Sequence, residues 1–265
     1  IETLKSLAIE QRLQRPRSLT WAILLNAVPQ PNGDIVASLT THRNYYIDLR
    51  KKLSMDPRTV IDDDPLSQND ESAWNQHFCD NELKTLILQD VVRTFPDEVY
   101  FREKDVQNMM VRVLFFWARS HSNVGYRQGM HEILAPIIFE MYADRKYAPL
   151  DVCMLFSTIM KGAEKFYTTG DVVPTSCGRL PTSKVVHVST HLEECKISME
   201  LFGIRWLRLL FGREFPRSEV PHLWGFIFSD GPLLPNLHYV ILALLISIRN
   251  LREYSFIFVK VRPLV

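Results

Sequence analysis

Apolar residues in this chain recur every three and four positions, and that spacing restricts the fold more than any other feature. Val106, Met109, Met110, Val113, Leu114 and Trp117 fall on one stripe of a helix with 3.6 residues per turn. Met130, Ile133, Leu134, Ile137, Ile138 and Met141 repeat the pattern. Leu83, Leu86, Ile87 and Val91 mark another helix, expected over about residues 79–94, which Pro96 should end by lacking an N–H and restricting its neighbour. Further helices are predicted near 18–27, 35–53, 149–168, 189–211, 217–229 and 234–249. Glycine is scarce, at 10 of 265 residues, and strand-like alternation is confined to Ser255–Val261. The expectation is an all-α, multi-helix fold.

Turn chemistry separates the helices at Pro29–Gly33, Asp62–Asn69 and Gly170–Lys184. The last of these, residues 170–184, reads as a mobile loop inside a single domain spanning 1–265. No fixed-period repeat supports a solenoid. Lys and Arg total 31 against 30 for Asp and Glu, a net charge of +1, which does not point to nucleic acid as a partner. The four cysteines, Cys79, Cys153, Cys177 and Cys195, form no Cys-x-x-Cys pair, and a reducing compartment fits them better than a disulfide scaffold. The N-terminus lacks the apolar stretch of a signal peptide, and the most apolar run, Tyr239–Ile246, is too short to span a bilayer.

Two short segments carry the chemistry. Asp90 follows Ile87 by three residues on the buried face of its helix, where an apolar residue would be expected. A carboxylate turned inward needs a partner, and Arg93, one turn on, can reach it. Arg93 stands in the last turn and can project past the helix end. Taken alone, the two read most simply as a structural ion pair. The second segment is Gly125-Tyr126-Arg127-Gln128-Gly129-Met130, directly before a strongly apolar helix that Ser122 or Asn123 could begin. Gln128 then sits at the start of the helix, off its apolar stripe, and alone reads as a surface glutamine.

Other signals point to no site. His187 and His191 share a helical face near Glu194 and Cys195, but Val188 stands where zinc proteases carry Glu. Asp62, Asp63 and Asp64 lack the alternating ligands and glycine of a calcium loop. There is no Walker-type lysine loop, so nucleotide binding by the chain alone is not expected.

Together, Ile87-x-x-Asp90-x-x-Arg93 and Tyr126-x-Gln128 resemble the paired signature of the TBC (Tre-2/Bub2/Cdc16) family of Rab GTPase-activating domains. Arg17-Ser18-Leu19-Thr20-Trp21 resembles that domain's opening segment, and residues 206–216 its later Trp…Phe…Phe-Pro segment. The resemblance is strongest over 15–235. It implies that Arg93 acts as an arginine finger and Gln128 as a glutamine finger, stimulating GTP hydrolysis in trans on a Rab small GTPase in its GTP form. It further implies that Asp90 fixes the guanidinium, while Tyr126, with Gly129, shapes the loop presenting Gln128. GTP and Mg2+ would come with the partner, so no cofactor or metal of the chain's own is expected. The chain would be an activator of the GTPase's own reaction, with no turnover of its own on a small molecule. A non-catalytic module binding a Rab or the retromer coat is the alternative. The resemblance implies a cytoplasmic place, peripheral on endosomal membranes, in vesicle trafficking and autophagy. Two features depart from the family. Leu223-Trp224-Gly225 stands where the family usually has Ile-Trp-Asp, and glycine inside a helix costs about 1 kcal/mol against alanine. The tail 249–265 is atypical, as if the domain's last helices were lacking.

Overall fold

The computed structural model describes residues 1–29, 33–53, 57–59, 64, 66, 69, 72–144, 152–168 and 200–249. Among them are twelve α-helices and no strand. In chain order they are α1 (Glu2–Ile9), α2 (Arg17–Leu24), α3 (Ile35–Leu53), α4 (Ala73–Val92), α5 (Val99–Arg102), α6 (Lys104–Ser120), α7 (Met130–Asp144), α8 (Val152–Ala163), α9 (Lys165–Thr168), α10 (Glu200–Arg208), α11 (Val220–Phe228) and α12 (Leu237–Arg249). The 170–184 segment, His187, His191, Glu194 and Cys195, Asp62 and Asp63, Ser255–Val261 and the tail from 250 onward lie outside the described residues. No described helix is long and apolar enough to cross a membrane.

The chain divides into two compact units, Gln14–Met160 and a second formed by Ile1–Leu13 with Lys161–Val265. In the first, α4, α6 and α7 pack together. Helix α6 buries Val106, Met110, Val113, Leu114 and Trp117 of the expected stripe, together with Phe115 and Phe116 outside it, whereas Met109 is only half-buried. Helix α7 buries Met130, Ile133, Leu134, Ile137, Ile138 and Met141, and it continues through Pro136 despite that residue's missing donor. Its far end anchors α2. Asp144 accepts the backbone N–H of Ser18 at 2.8 Å, and Glu140 pairs with Arg17 at 3.3 Å. Trp21 is fully buried, as are Ser18 and Ala22, so α2 is held along its length as well as at Arg17 and Ser18. Helix α3 lies on α6 with Tyr46 edge-on to Phe116 at 5.5 Å, and none of its residues is fully buried.

Helix α4 starts earlier than its apolar spacing suggests. Ser72 caps it, its side chain accepting the N–H of Trp74, so the helix begins at Ala73 rather than near 79. Its inner face is narrow, with Asp80, Ile87, Asp90 and Val91 buried. Leu86, expected on that face, is 51% exposed, because it stands a full 100° around the helix from Ile87. Asp80 faces Arg119 of α6, whose Nε lies 3.0 Å from its Oδ1. Burial raises the Asp80 pKa above the ordinary 3.8, against the opposing pull of Arg119, Lys84 and His77. A carboxyl with a raised folded-state pKa contributes stability in full below 3.8 and loses it as pH rises through the shifted value. Asp80→Asn should therefore flatten this part of the pH–stability curve, read from urea midpoints over about pH 3 to 7. An unchanged slope would count against the burial argument.

In the other unit, α1 lies on α11. His222 of α11 is within 3.1 Å of the Gln11 carbonyl oxygen. Trp224 is fully buried and donates its indole N–H to the Leu210 carbonyl at 3.0 Å. Arg205 of α10 pairs with Glu214 at 2.7 Å. Arg208 donates to the Phe166 carbonyl while Tyr167 donates to the Arg208 carbonyl, which cross-ties α9 and α10. Gly225 is buried, and a Cβ there would lie 2.8 Å from Leu13 Cδ1, so the Leu13 side chain occupies the space a larger residue would need.

Candidate functional site

Ile87, Asp90 and Arg93 stand one turn apart along the C-terminal half of α4. Ile87 is fully buried and fixes which face of the helix turns inward. Asp90, one turn on, therefore enters the interior, its side chain only 8% exposed. Helix α4 ends at Val92, so Arg93 is the cap residue rather than a member of the last turn, with φ −91° and ψ 2°. This places its backbone just past the helix while its guanidinium reaches back. Arg93 Nη2 donates to Asp90 Oδ1. The arginine side chain is 58% exposed and its partner is buried, so the carboxylate holds one terminal nitrogen of a cation that is otherwise mostly exposed. Thr94 closes the same end, its hydroxyl donating to the Asp90 carbonyl at 3.0 Å.

The second carboxylate oxygen of Asp90 belongs to the other segment. Tyr126 donates its hydroxyl to Asp90 Oδ2 at 2.7 Å, and both groups are buried. Sequence spacing alone does not bring these two together, since they are 36 residues apart. The bond ties the loop before α7 to the end of α4. Within that loop the chain turns at His121–Gly125, where the Val124 and Gly125 N–H groups both donate to the His121 carbonyl. Helix α7 begins at Met130, not at Ser122 or Asn123 as the apolar run suggests, because residues 122–129 form turns and irregular chain first. Gln128 and Arg127 are consequently exposed in the turn ahead of the helix. Gly129 makes that turn possible. It is buried at φ +104°, a conformation that side chains disfavour, and its carbonyl accepts the Glu132 N–H as the first turn of α7 forms.

The arrangement is a buried carboxylate with one oxygen on an exposed arginine and the other on the tyrosine of an exposed glutamine's loop. One member was not anticipated from sequence. His131, 3% exposed, brings Nδ1 to 3.1 Å from the Tyr126 hydroxyl, 3.7 Å from Asp90 Oδ2 and 3.4 Å from the Gly129 N–H. The available signal was a histidine in the first turn of a largely apolar helix, five residues after the tyrosine. No cluster of three or more His, Cys, Asp or Glu residues able to hold a metal occurs among the described residues.

Chemically, such a site presents an exposed guanidinium held by Asp90, and an exposed amide on the loop that Tyr126 ties to the same carboxylate. A guanidinium recognises phosphate oxygens through forked donors, and an amide can donate and accept at once.

Known proteins resemble this chain in sequence and in fold. The chain is 29% identical to human TBC1 domain family member 5 over 297 residues, covering 90% of this chain and 37% of that protein. It is 37% identical over 129 residues to TBC1 domain family member 5 homolog B of Dictyostelium discoideum, covering 46% of this chain and 12% of that protein. Segments 61–67, 90–98, 125–132 and 208–216 are those in which a likeness to member 5 is legible from sequence alone. The chain thus spans little more than a third of the length of its human relative. The fold matches the crystal structure of the Ypt/Rab-GAP domain of Gyp1p with a TM-score of 0.72 at 19% identity, covering 99% of this chain and 85% of that one. The family model for the Rab-GTPase-TBC domain matches residues 14–252, and with nearly the whole chain so matched, this protein belongs to the Rab-GTPase-TBC domain family.

Proposed function

We propose that this chain stimulates GTP hydrolysis by a Rab-type small GTPase, supplying Arg93 and Gln128 in trans. The observation that carries the proposal is the shared anchor. Asp90 holds the exposed Arg93 with one oxygen and, through Tyr126, the loop of the exposed Gln128 with the other. In phosphoryl transfer, charge spreads over the transferred phosphoryl oxygens while the attacking water must be oriented. An arginine supplied by an activator meets the first need and is worth about 10³–10⁵ in rate. Gln128 meets the second, its carbonyl accepting from water and its amide donating to a phosphate oxygen. The chain needs no cofactor in this scheme, since GTP and Mg2+ arrive with the GTP-bound partner. Leu88 and Val92, exposed on the last turns of α4, offer the partner apolar surface on the helix that Arg93 caps. The name of the Gyp1p domain supports the partner class. The family resemblance extends to a cytoplasmic place on endosomal membranes, with the retromer coat as a second partner, in vesicle trafficking and autophagy.

The test is GTP turnover by a panel of purified Rab proteins, with the wild-type chain and with Gln128→Ala. Wild type should accelerate at least one Rab. Gln128→Ala should lower that acceleration by about tenfold or more, because its exposed side chain takes no part in packing. Binding without acceleration would reject the catalytic reading and leave a non-catalytic binding module.

A further inference from the structure

We propose that His131 is a positioning residue for this site, holding Tyr126 on Asp90 by donating a hydrogen bond from Nδ1; this rests on the function proposed above. The case is a count of hydrogens. Tyr126 carries one hydroxyl proton. Two acceptors compete for it, Asp90 Oδ2 at 2.7 Å and His131 Nδ1 at 3.1 Å. The carboxylate is closer, and as an ionised acceptor it makes the stronger bond. With the proton on Asp90, the tyrosine oxygen presents lone pairs to His131, and the 3.1 Å contact is a hydrogen bond only if Nδ1 bears a hydrogen.

The surroundings of the ring agree. Asp90 Oδ2 also lies 3.7 Å from Nδ1, and a carboxylate favours a hydrogen on a neighbouring nitrogen over a lone pair. The competing donor is the Gly129 N–H, which would need a bare Nδ1, and at 3.4 Å it is near the limit of a useful bond. Nε2 faces Glu132 Oε1 at 3.6 Å on the opposite edge of the ring. Either the Nδ1–H tautomer or the doubly protonated ring satisfies the arrangement.

The result is a chain of donors running one way, from His131 of α7 to Tyr126, then to Asp90 of α4, where Arg93 donates from the other side. If Nδ1 were bare, the tyrosine proton could turn to the ring, the bond between the two segments would weaken, and Arg93 would keep a carboxylate without its second anchor. His131 thus acts on Arg93 and on the Gln128 loop without touching the nucleotide, by fixing which way the buried tyrosine points.

Two replacements and a spectrum test this. In His131→Asn the side-chain amide nitrogen stands close to where Nδ1 does and can only donate; in His131→Leu the volume remains and the donor is lost. With the Rab that wild type stimulates most, Asn should keep kcat within about threefold, whereas Leu should lower kcat by about 30-fold with KM for the GTP-loaded Rab nearly unchanged. A packing role alone would favour Leu over Asn, the reverse order. Nitrogen-15 NMR of the wild-type imidazole should show Nδ1 protonated, whether or not His131→Leu folds. A bare Nδ1, wild-type turnover by His131→Leu, or equal impairment of the two variants would overturn the proposal. If wild type stimulates no Rab, the function above falls, and the ring spectrum still decides the donor chain by itself.

Discussion

Arg93→Ala should lower stimulated GTP turnover by about 10³-fold or more while leaving the protein folded. The size follows from where the charge is needed. Hydrolysis assisted from outside gains most from a cation placed against the transferred phosphoryl oxygens, and alanine removes that cation completely. The intact fold follows from exposure. The Arg93 side chain is 58% exposed, so its loss opens no cavity, and Asp90 keeps the Tyr126 hydroxyl at 2.7 Å. The cost to stability should be about 1–3 kcal/mol, because the arginine is exposed but the buried Asp90 loses its cation and is left with the Tyr126 hydroxyl. Arg93→Lys should restore little, because an ammonium cannot hold the carboxylate and a phosphate oxygen through separate forked donors. Single-turnover hydrolysis by a stimulated Rab, beside a thermal melt, measures both halves. Full stimulation by Arg93→Ala would leave the exposed arginine as an ordinary surface pair.

The second large effect concerns stability. Gly225→Asp, which restores the residue the family usually carries, should destabilise this protein by about 3 kcal/mol. The Leu13 side chain stands 2.8 Å from where a Cβ would be, so the new carboxylate would press on an apolar neighbour, in a buried position. Gly225→Ala should be close to neutral, since the gain in helix propensity, about 1 kcal/mol, offsets a small shift of the leucine end. The two positions should also be coupled. In a double-mutant cycle by urea unfolding, Leu13→Ala should cost about 1 kcal/mol less in the Gly225→Asp background than in wild type. Strict additivity would mean that Leu13 does not fill the position in solution. The glycine that looked like a defect in the helix pattern is therefore one half of a packing pair, and its other half is 212 residues away at the end of the segment following α1.

Much of the helical architecture was open to reading along the chain. The stripes of α6 and α7 are long and regular; burial follows the α7 stripe residue by residue and the α6 stripe except at Met109. Helix α3 spans Ile35–Leu53, as its spacing predicts. Where spacing misled, a local contact overrode it. Ser72 extends α4 by a cap that no apolar pattern marks, and Leu86 satisfies a three-and-four rule on a helix whose buried face is too narrow to include it. Short elements such as α1 and α5 carry too few turns to show a period.

The candidate site divides along the same line. Sequence by itself placed an inward carboxylate one turn before an arginine, because within a single turn helix geometry fixes who meets whom. Gln128 was marked by the family resemblance, and it stands in the turn ahead of α7 rather than in the helix. Only the tertiary structure decided that Asp90 serves both segments, that His131 adjoins them and that Leu13 fills the space at Gly225. Those contacts join residues on different helices or loops, and their meeting depends on how helices pack, which no period along one segment records.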